Sequence, residues 1–127
     1  MAVLAATQNV FAQLEPCPSK PNCVSSEPGT DSKQLVKPLP YVSIPELVLA
    51  VKKQIPRASV VKRSESYLHV EVRSRLFGFV DDLELRLDEY AQKMQVRSAS
   101  RVGYYDFGVN RKRVELLRDY LLSGKTD

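Results

Sequence analysis

The side chains best suited to chemistry in this chain are arginines, hydroxyls and two adjacent aspartates. Arg97, Ser98, Ser100 and Arg101 lie within five positions. Asn110, Arg111, Lys112 and Arg113 follow nine residues later. Planar guanidinium forks and hydroxyl donors suit oxyanions, so phosphate or carboxylate recognition is the chemistry this pattern offers. If Asn110 caps a helix, three cations fill its first turn. Cations are unfavourable there by about 0.3–1 kcal/mol each. The misplaced charge calls for an anion, either a neighbouring carboxylate such as Asp81, Asp82 or Asp106, or a bound oxyanion. Asp81 and Asp82 would orient the arginines. The expected ligand-binding set is Asp81, Asp82, Arg97, Ser98, Ser100, Arg101, Asn110, Arg111 and Arg113.

Catalytic constellations are lacking. The single histidine, His69, leaves Cys17 or Cys23 without an evident base. The spacing of the two cysteines fits no zinc pattern. A disulfide loop and two free thiols both remain open for Cys17 and Cys23. No glycine-rich phosphate loop or metal cluster is present, so no cofactor and no metal is expected. An enzyme remains the alternative only through Asp81, as a general acid or base if desolvated.

The charge pattern supports a local site. Of 127 residues, 19 are Lys or Arg and 15 are Asp or Glu, a net charge of +4. Residues 97–118 hold six cations against two carboxylates and account for the whole excess. Residues 81–89 are acidic, with five carboxylates against Arg86. A mild, localised charge with no RNA-binding aromatic motif argues against nucleic acid as a partner. With 43% hydrophobic residues the chain can bury a core.

The elements that must position these groups follow from periodicity. All eight prolines lie between positions 16 and 56. An irregular Pro-rich wrap over roughly 15–41 therefore precedes a regular core over 42–123. Residues 1–14 read as a flexible N-terminus and 15–123 as a single domain. Ser43-Ile44-Pro45-Glu46 is a capping box opening a helix that Pro56 stops. Ile44, Leu47, Val48, Val51 and Ile55 form its apolar stripe. Strands are expected at about 58–63, 66–75, 79–88 and 93–101. A last helix runs from about Asn110 to Leu122, with Gly124 beyond its end. The order α-β-β-β-β-α predicts an α+β fold: a four-stranded antiparallel meander with both helices on one face.

Register follows from alternation, because a slip of one residue reverses every side chain. Pairing Leu87 with Met94 places Leu85 opposite Val96, Glu84 opposite Arg97 and Asp81 opposite Ser100. A two-residue turn at Phe77-Gly78 would place Asp81 opposite Ser74 and Asp82 opposite Arg73. Phe79, Leu83, Leu85 and Leu87 should face inward. Asp81 shares that parity, and a buried carboxylate needs donors.

Four stretches resemble one known family. They are Pro18-x-x-Pro21-Asn22-Cys23-Val24-Ser25-Ser26, Phe77-Gly78-Phe79-Val80-Asp81-Asp82-Leu83-Glu84, Arg97-Ser98-Ala99-Ser100-Arg101-Val102-Gly103, and Asp106-x-Gly108-x-Asn110-Arg111-Lys112-Arg113-Val114-Glu115. In that order they resemble the domain of unknown function 1499 family, over about residues 16–120. The resemblance implies a shared fold and a shared site, with members in bacteria, cyanobacteria and photosynthetic eukaryotes. It names no chemistry.

The leading expectation is a small non-enzymatic binding domain for a small oxyanion or an acidic group on a protein partner. The alternative is an accessory subunit of a larger, membrane-associated, photosynthetic assembly. The chain reads as soluble, cytoplasmic if Met1 is its native start, or plastid- or thylakoid-associated after processing.

Overall fold

The computed structural model describes residues 12–123. The fold is α+β, with a mostly antiparallel sheet and two helices. Strands β1 (Cys23–Ser25) and β2 (Leu39–Pro40) precede helix α1 (Ile44–Gln54). Strands β3 (Ala58–Arg63), β4 (Tyr67–Arg73), β5 (Val80–Asp88) and β6 (Lys93–Ser100) follow, and helix α2 (Val109–Leu122) ends the described chain. Gly124, the expected residue beyond that helix, and residues 1–11 of the expected flexible N-terminus lie outside the described residues.

Helix α1 starts where Ser43 Oγ accepts the Glu46 N–H at 3.2 Å. Its stripe of Ile44, Leu47, Val48 and Val51 is buried, as is Ile55 just after it. Leu68, Val70 and Val72 of β4, Leu83 and Leu85 of β5, and Met94 and Val96 of β6 form the facing layer. Val114, Leu117 and Leu121 of α2 complete the same core. One apolar sheet face and both helices thus close a single hydrophobic cluster, and burial of these side chains is the main driving force of the fold.

The meander β3-β4-β5-β6 is present, but the sheet has six strands rather than four. The Pro-rich wrap supplies the other two. Strand β1 pairs with β6 through Cys23–Ala99, Val24–Ser98 and Ser25–Arg97. Strand β2 pairs with the other half of β6, through Leu39–Met94 and Pro40–Lys93. An edge strand leaves a row of N–H and C=O groups without partners. The wrap satisfies that row on β6, which becomes an interior strand. The two pieces are too short and too Pro-bounded to stand out as strands by alternation.

The β5–β6 register is as expected: Leu87 faces Met94, Glu84 faces Arg97 and Asp81 faces Ser100. The β4–β5 register differs by two residues. Arg73 pairs with Val80, Val72 with Asp81 and Glu71 with Asp82. The turn is longer than two residues because Ser74 and Phe79 close it. The Ser74 N–H donates to Phe79 O at 2.8 Å, and the Phe79 N–H donates to Ser74 Oγ at 3.0 Å. Gly78 takes the left-handed conformation (φ 68°) that this longer turn requires. A shift of two keeps every side chain on its face, so the core is unaffected, but Asp81 does not face Ser74. Phe79, expected inward, sits in this turn and is exposed.

Cys17 and Cys23 are joined by a disulfide, with Cα atoms 5.7 Å apart. It ties the start of the wrap to β1. Among the described residues no helix is long and apolar enough to cross a membrane.

Candidate functional site

The expected site residues fall on two faces of the sheet, and strand alternation is the reason. Asp81, Ser98 and Ser100 point toward the helix layer. Asp82, Arg97 and Arg101 point to the opposite face.

On the helix side, Asn110 is the hub. It is fully buried in the first turn of α2. Its Oδ1 accepts from Ser98 Oγ at 2.6 Å and from Arg113 Nη1 at 2.8 Å. Its Nδ2 lies 2.9 Å from Ser100 Oγ, 2.8 Å from Asp106 Oδ2 and 3.2 Å from the carbonyl of Asn22. Arg113 also donates to Ser98 Oγ at 3.1 Å and pairs with Asp81 at 3.0 Å. Buried polar groups cost stability unless they are hydrogen-bonded, and here each is.

Asn110 is not the helix cap. The capping position is Gly108, in the left-handed region at φ 78°. Asp106 provides the missing acceptor instead. Its Oδ1 takes the Gly108 N–H at 2.9 Å and its Oδ2 takes the Asn110 N–H at 3.0 Å. Burial alone would raise the Asp106 carboxyl, but these hydrogen bonds outweigh it and hold the group below its ordinary value. The anion demanded by the cationic helix start is therefore supplied from within the chain: Asp106 answers the free N–H groups and Asp81 answers Arg113.

On the opposite face, Asp82 Oδ2 accepts from Arg101 Nε at 2.7 Å, and its Oδ1 lies 2.7 Å from His69 Nε2. Arg101 also reaches Glu71 at 2.6 Å. The hydrogen bond from Arg101 is the main reason the Asp82 carboxyl is lowered; burial opposes it. Arg97 faces Glu84 at 3.4 Å, and its buried Nε has no hydrogen-bond partner among the described residues. Tyr67 donates to the same Glu84, and burial followed by that bond raises the phenol.

Arg111 belongs to neither group. Its guanidinium donates to the carbonyls of Leu35 at 3.0 Å and Lys33 at 2.9 Å, fastening the wrap to α2. It borders a cleft of about 840 Å³ between the wrap and the β6–α2 loop. Lys20, Lys33, Thr30, Tyr104 and Tyr105 line the same cleft.

Residues 13–121 match the family described as "Protein of unknown function (DUF1499)". The chain belongs to the DUF1499 family. Neither a curated protein nor a solved structure matches it.

Two features of this DUF1499 chain were not among the expected site residues. Asn22 donates to the carbonyl of Gly103 at 2.9 Å and so holds the β6–α2 loop against the wrap. Glu27 is buried and grips Arg86 with two bonds, at 2.5 and 2.8 Å. It also accepts the Leu14 N–H at 2.9 Å. Both residues sit in the Pro-rich wrap, and their partners are remote in the chain. Only the Asn22-Cys23 motif gave a signal, and it carried no chemistry of its own. The Cys17–Cys23 disulfide borders the cleft through Cys17.

Proposed function

We propose that the chain is a non-enzymatic binding module that takes an acidic group, a phosphate or carboxylate, in the cleft between the wrap and the β6–α2 loop. One observation carries this reading. Lys20 and Lys33 line the cleft beside Arg111, and neither lysine has an ion-pair partner among the described residues. Of the carboxylates along the same wall, Glu27 is bound to Arg86 and Asp106 caps α2. Asp31 accepts the Lys33 backbone N–H and is the one left without an ion-pair or capping role among the described residues, against the three cations. Tyr104 and Tyr105 add hydroxyl groups. Of the expected binding set, Arg111 lines this cleft. Ser98, Ser100, Asn110 and Arg113 support the loop that forms its wall, with Asp81 behind Arg113.

An acid–base role for Asp81 is less well supported, because its carboxylate is spent on Arg113.

Isothermal titration of the full chain with inorganic phosphate and with a Glu-rich peptide tests the reading. Binding at low salt that weakens as salt rises is expected. The Lys20→Glu/Lys33→Glu variant should lose about tenfold in affinity, in line with two charge contacts in a half-exposed site. Absence of heat with both ligands at low salt would overturn it.

A further inference from the structure

The two loops at one end of the sheet carry an apolar surface that the cleft does not use. Strand β4 ends at Arg73, β5 begins at Val80 and β6 ends at Ser100, so the β4–β5 and β6–α2 loops leave the same end. The Arg101 N–H donates to Val80 O at 3.1 Å, which sets the start of one loop directly beside the end of the other. Leu76, Phe77 and Phe79 lie on the first loop, and Val102 and Phe107 on the second. Leu76 is 82% exposed, Phe77 74% and Phe107 77%, and Phe79 and Val102 are each more than half exposed. Phe77 and Phe79 stack on one another at 5.5 Å, and Phe107 meets Tyr105 at 5.0 Å. Exposed apolar side chains grouped at one end of a molecule mark an interaction site.

The surrounding charges select the occupant. Arg75, in the first loop, and Lys112, in the first turn of α2, are exposed and form no ion pair among the described residues. The carboxylates at this end are all engaged: Glu71 and Asp82 with Arg101, Asp81 with Arg113, and Asp106 with the helix N–H groups. The tip therefore shows apolar side chains and uncompensated cations. Phe107 is held at φ 58°, a left-handed conformation unfavourable for a bulky side chain, and yet buries almost nothing. Folding gains little from that residue, so its value lies outside the fold.

We propose that this two-loop tip docks on an anionic lipid bilayer. Leu76, Phe77, Phe79, Val102 and Phe107 enter the interface, while Arg75 and Lys112 meet the phosphate headgroups. Exposed loops need no matching concave surface in a bilayer, whereas a protein partner must supply one. Aromatic and aliphatic side chains are favoured at the headgroup boundary, and basic side chains are drawn to anionic lipid. The five apolar residues do not themselves line the acidic-group cleft, and of them Phe107 adjoins it through Tyr105.

Co-sedimentation of the full chain with vesicles tests the proposal. The chain should bind vesicles of equal phosphatidylglycerol and phosphatidylcholine, and bind phosphatidylcholine alone much more weakly. The Leu76→Ser/Phe77→Ser/Phe107→Asn variant should lose at least about tenfold in partitioning, since it removes most of the inserted apolar area. Its side chains are exposed, so its melting temperature should stay at or above that of the parent. Arg75→Glu/Lys112→Glu should bind weakly and lose the salt dependence. No binding to the mixed vesicles by the parent chain, or equal binding by the triple variant, would overturn the proposal. So would a dimer in size-exclusion chromatography that the triple variant abolishes while vesicles are ignored; the patch would then belong to a second copy.

Discussion

Arg113 Nη2 lies 3.0 Å from Asp81 Oδ2, joining the second turn of the last helix to the start of β5. The Arg113 side chain is only 9% exposed and also serves Ser98 and Asn110. Breaking such a pair leaves an uncompensated buried charge, which costs about 3–5 kcal/mol. Arg113→Ala should lower the urea unfolding free energy by about 3 kcal/mol, somewhat less than the full range because Asp81 retains some solvent. A loss under about 0.5 kcal/mol, the scale of an ordinary surface substitution, would show that the pair is solvated.

Asp106 makes stability depend on acid. Its folded carboxyl is held below the unfolded value by the helix N–H groups and the Asn110 side chain, against the opposing effect of burial. A depressed carboxyl contributes stability that is fully present above the unfolded value and is lost as pH falls through the folded one. Asp106→Ala should cost about 1 kcal/mol at neutral pH, the usual value of a lost helix cap. The deficit should shrink as pH drops below the ordinary carboxylate range, where the parent's Asp106 is itself protonated. Chemical unfolding of both chains across that range measures it; a constant deficit would refute the assignment.

Two arginine–carboxylate pairs look alike in sequence and should behave very differently. Arg86 and Glu27 are 12% and 5% exposed, whereas Arg101 is 44% exposed. Glu27→Ala should destabilise by about 3 kcal/mol, because Arg86 is left buried and unpaired. Arg101→Ala should cost far less, and added salt should remove most of what it does cost. Thermal and urea unfolding of the two variants, at low and high salt, will separate them.

Phe107 should be replaceable with a gain. Its φ of 58° is left-handed and its ring is exposed, so little burial is lost on substitution. Asn tolerates that conformation better than Phe, because its short polar side chain can hydrogen-bond locally. Phe107→Asn should raise stability by up to about 1 kcal/mol. A lowered melting temperature would mean the ring supports the loop, and the case for an external role would weaken.

Much of the frame was legible in the chain. The apolar stripe from Ile44 to Ile55, the alternation of Leu68, Val70 and Val72, and the charge-matched pairing of Glu84 with Arg97 each follow from local periodicity and adjacent strands. Where the reading and the structure part, longer-range contacts decided. Leu39–Pro40 and Cys23–Ser25 become strands because β6 has an edge to satisfy, a demand no local pattern carries. Phe79 turns outward because Ser74 closes a longer loop with it.

The candidate site divides along the same line. Residue types alone determined that the helix start is overloaded with cations and that an anion must answer it, since the sign of the helix dipole is independent of the fold. Which anion answers it was a matter of distance. Asp106 is four residues from Asn110 and within reach of the first turn, and Asp81 reaches Arg113 only because β5 lies beside β6. Charge can be counted along a chain, whereas pairing requires atoms within a few ångströms. Tertiary packing brings those atoms together: alternation along β5 already put Asp81 and Asp82 on opposite faces, and packing set Arg113 beside the one and Arg101 beside the other.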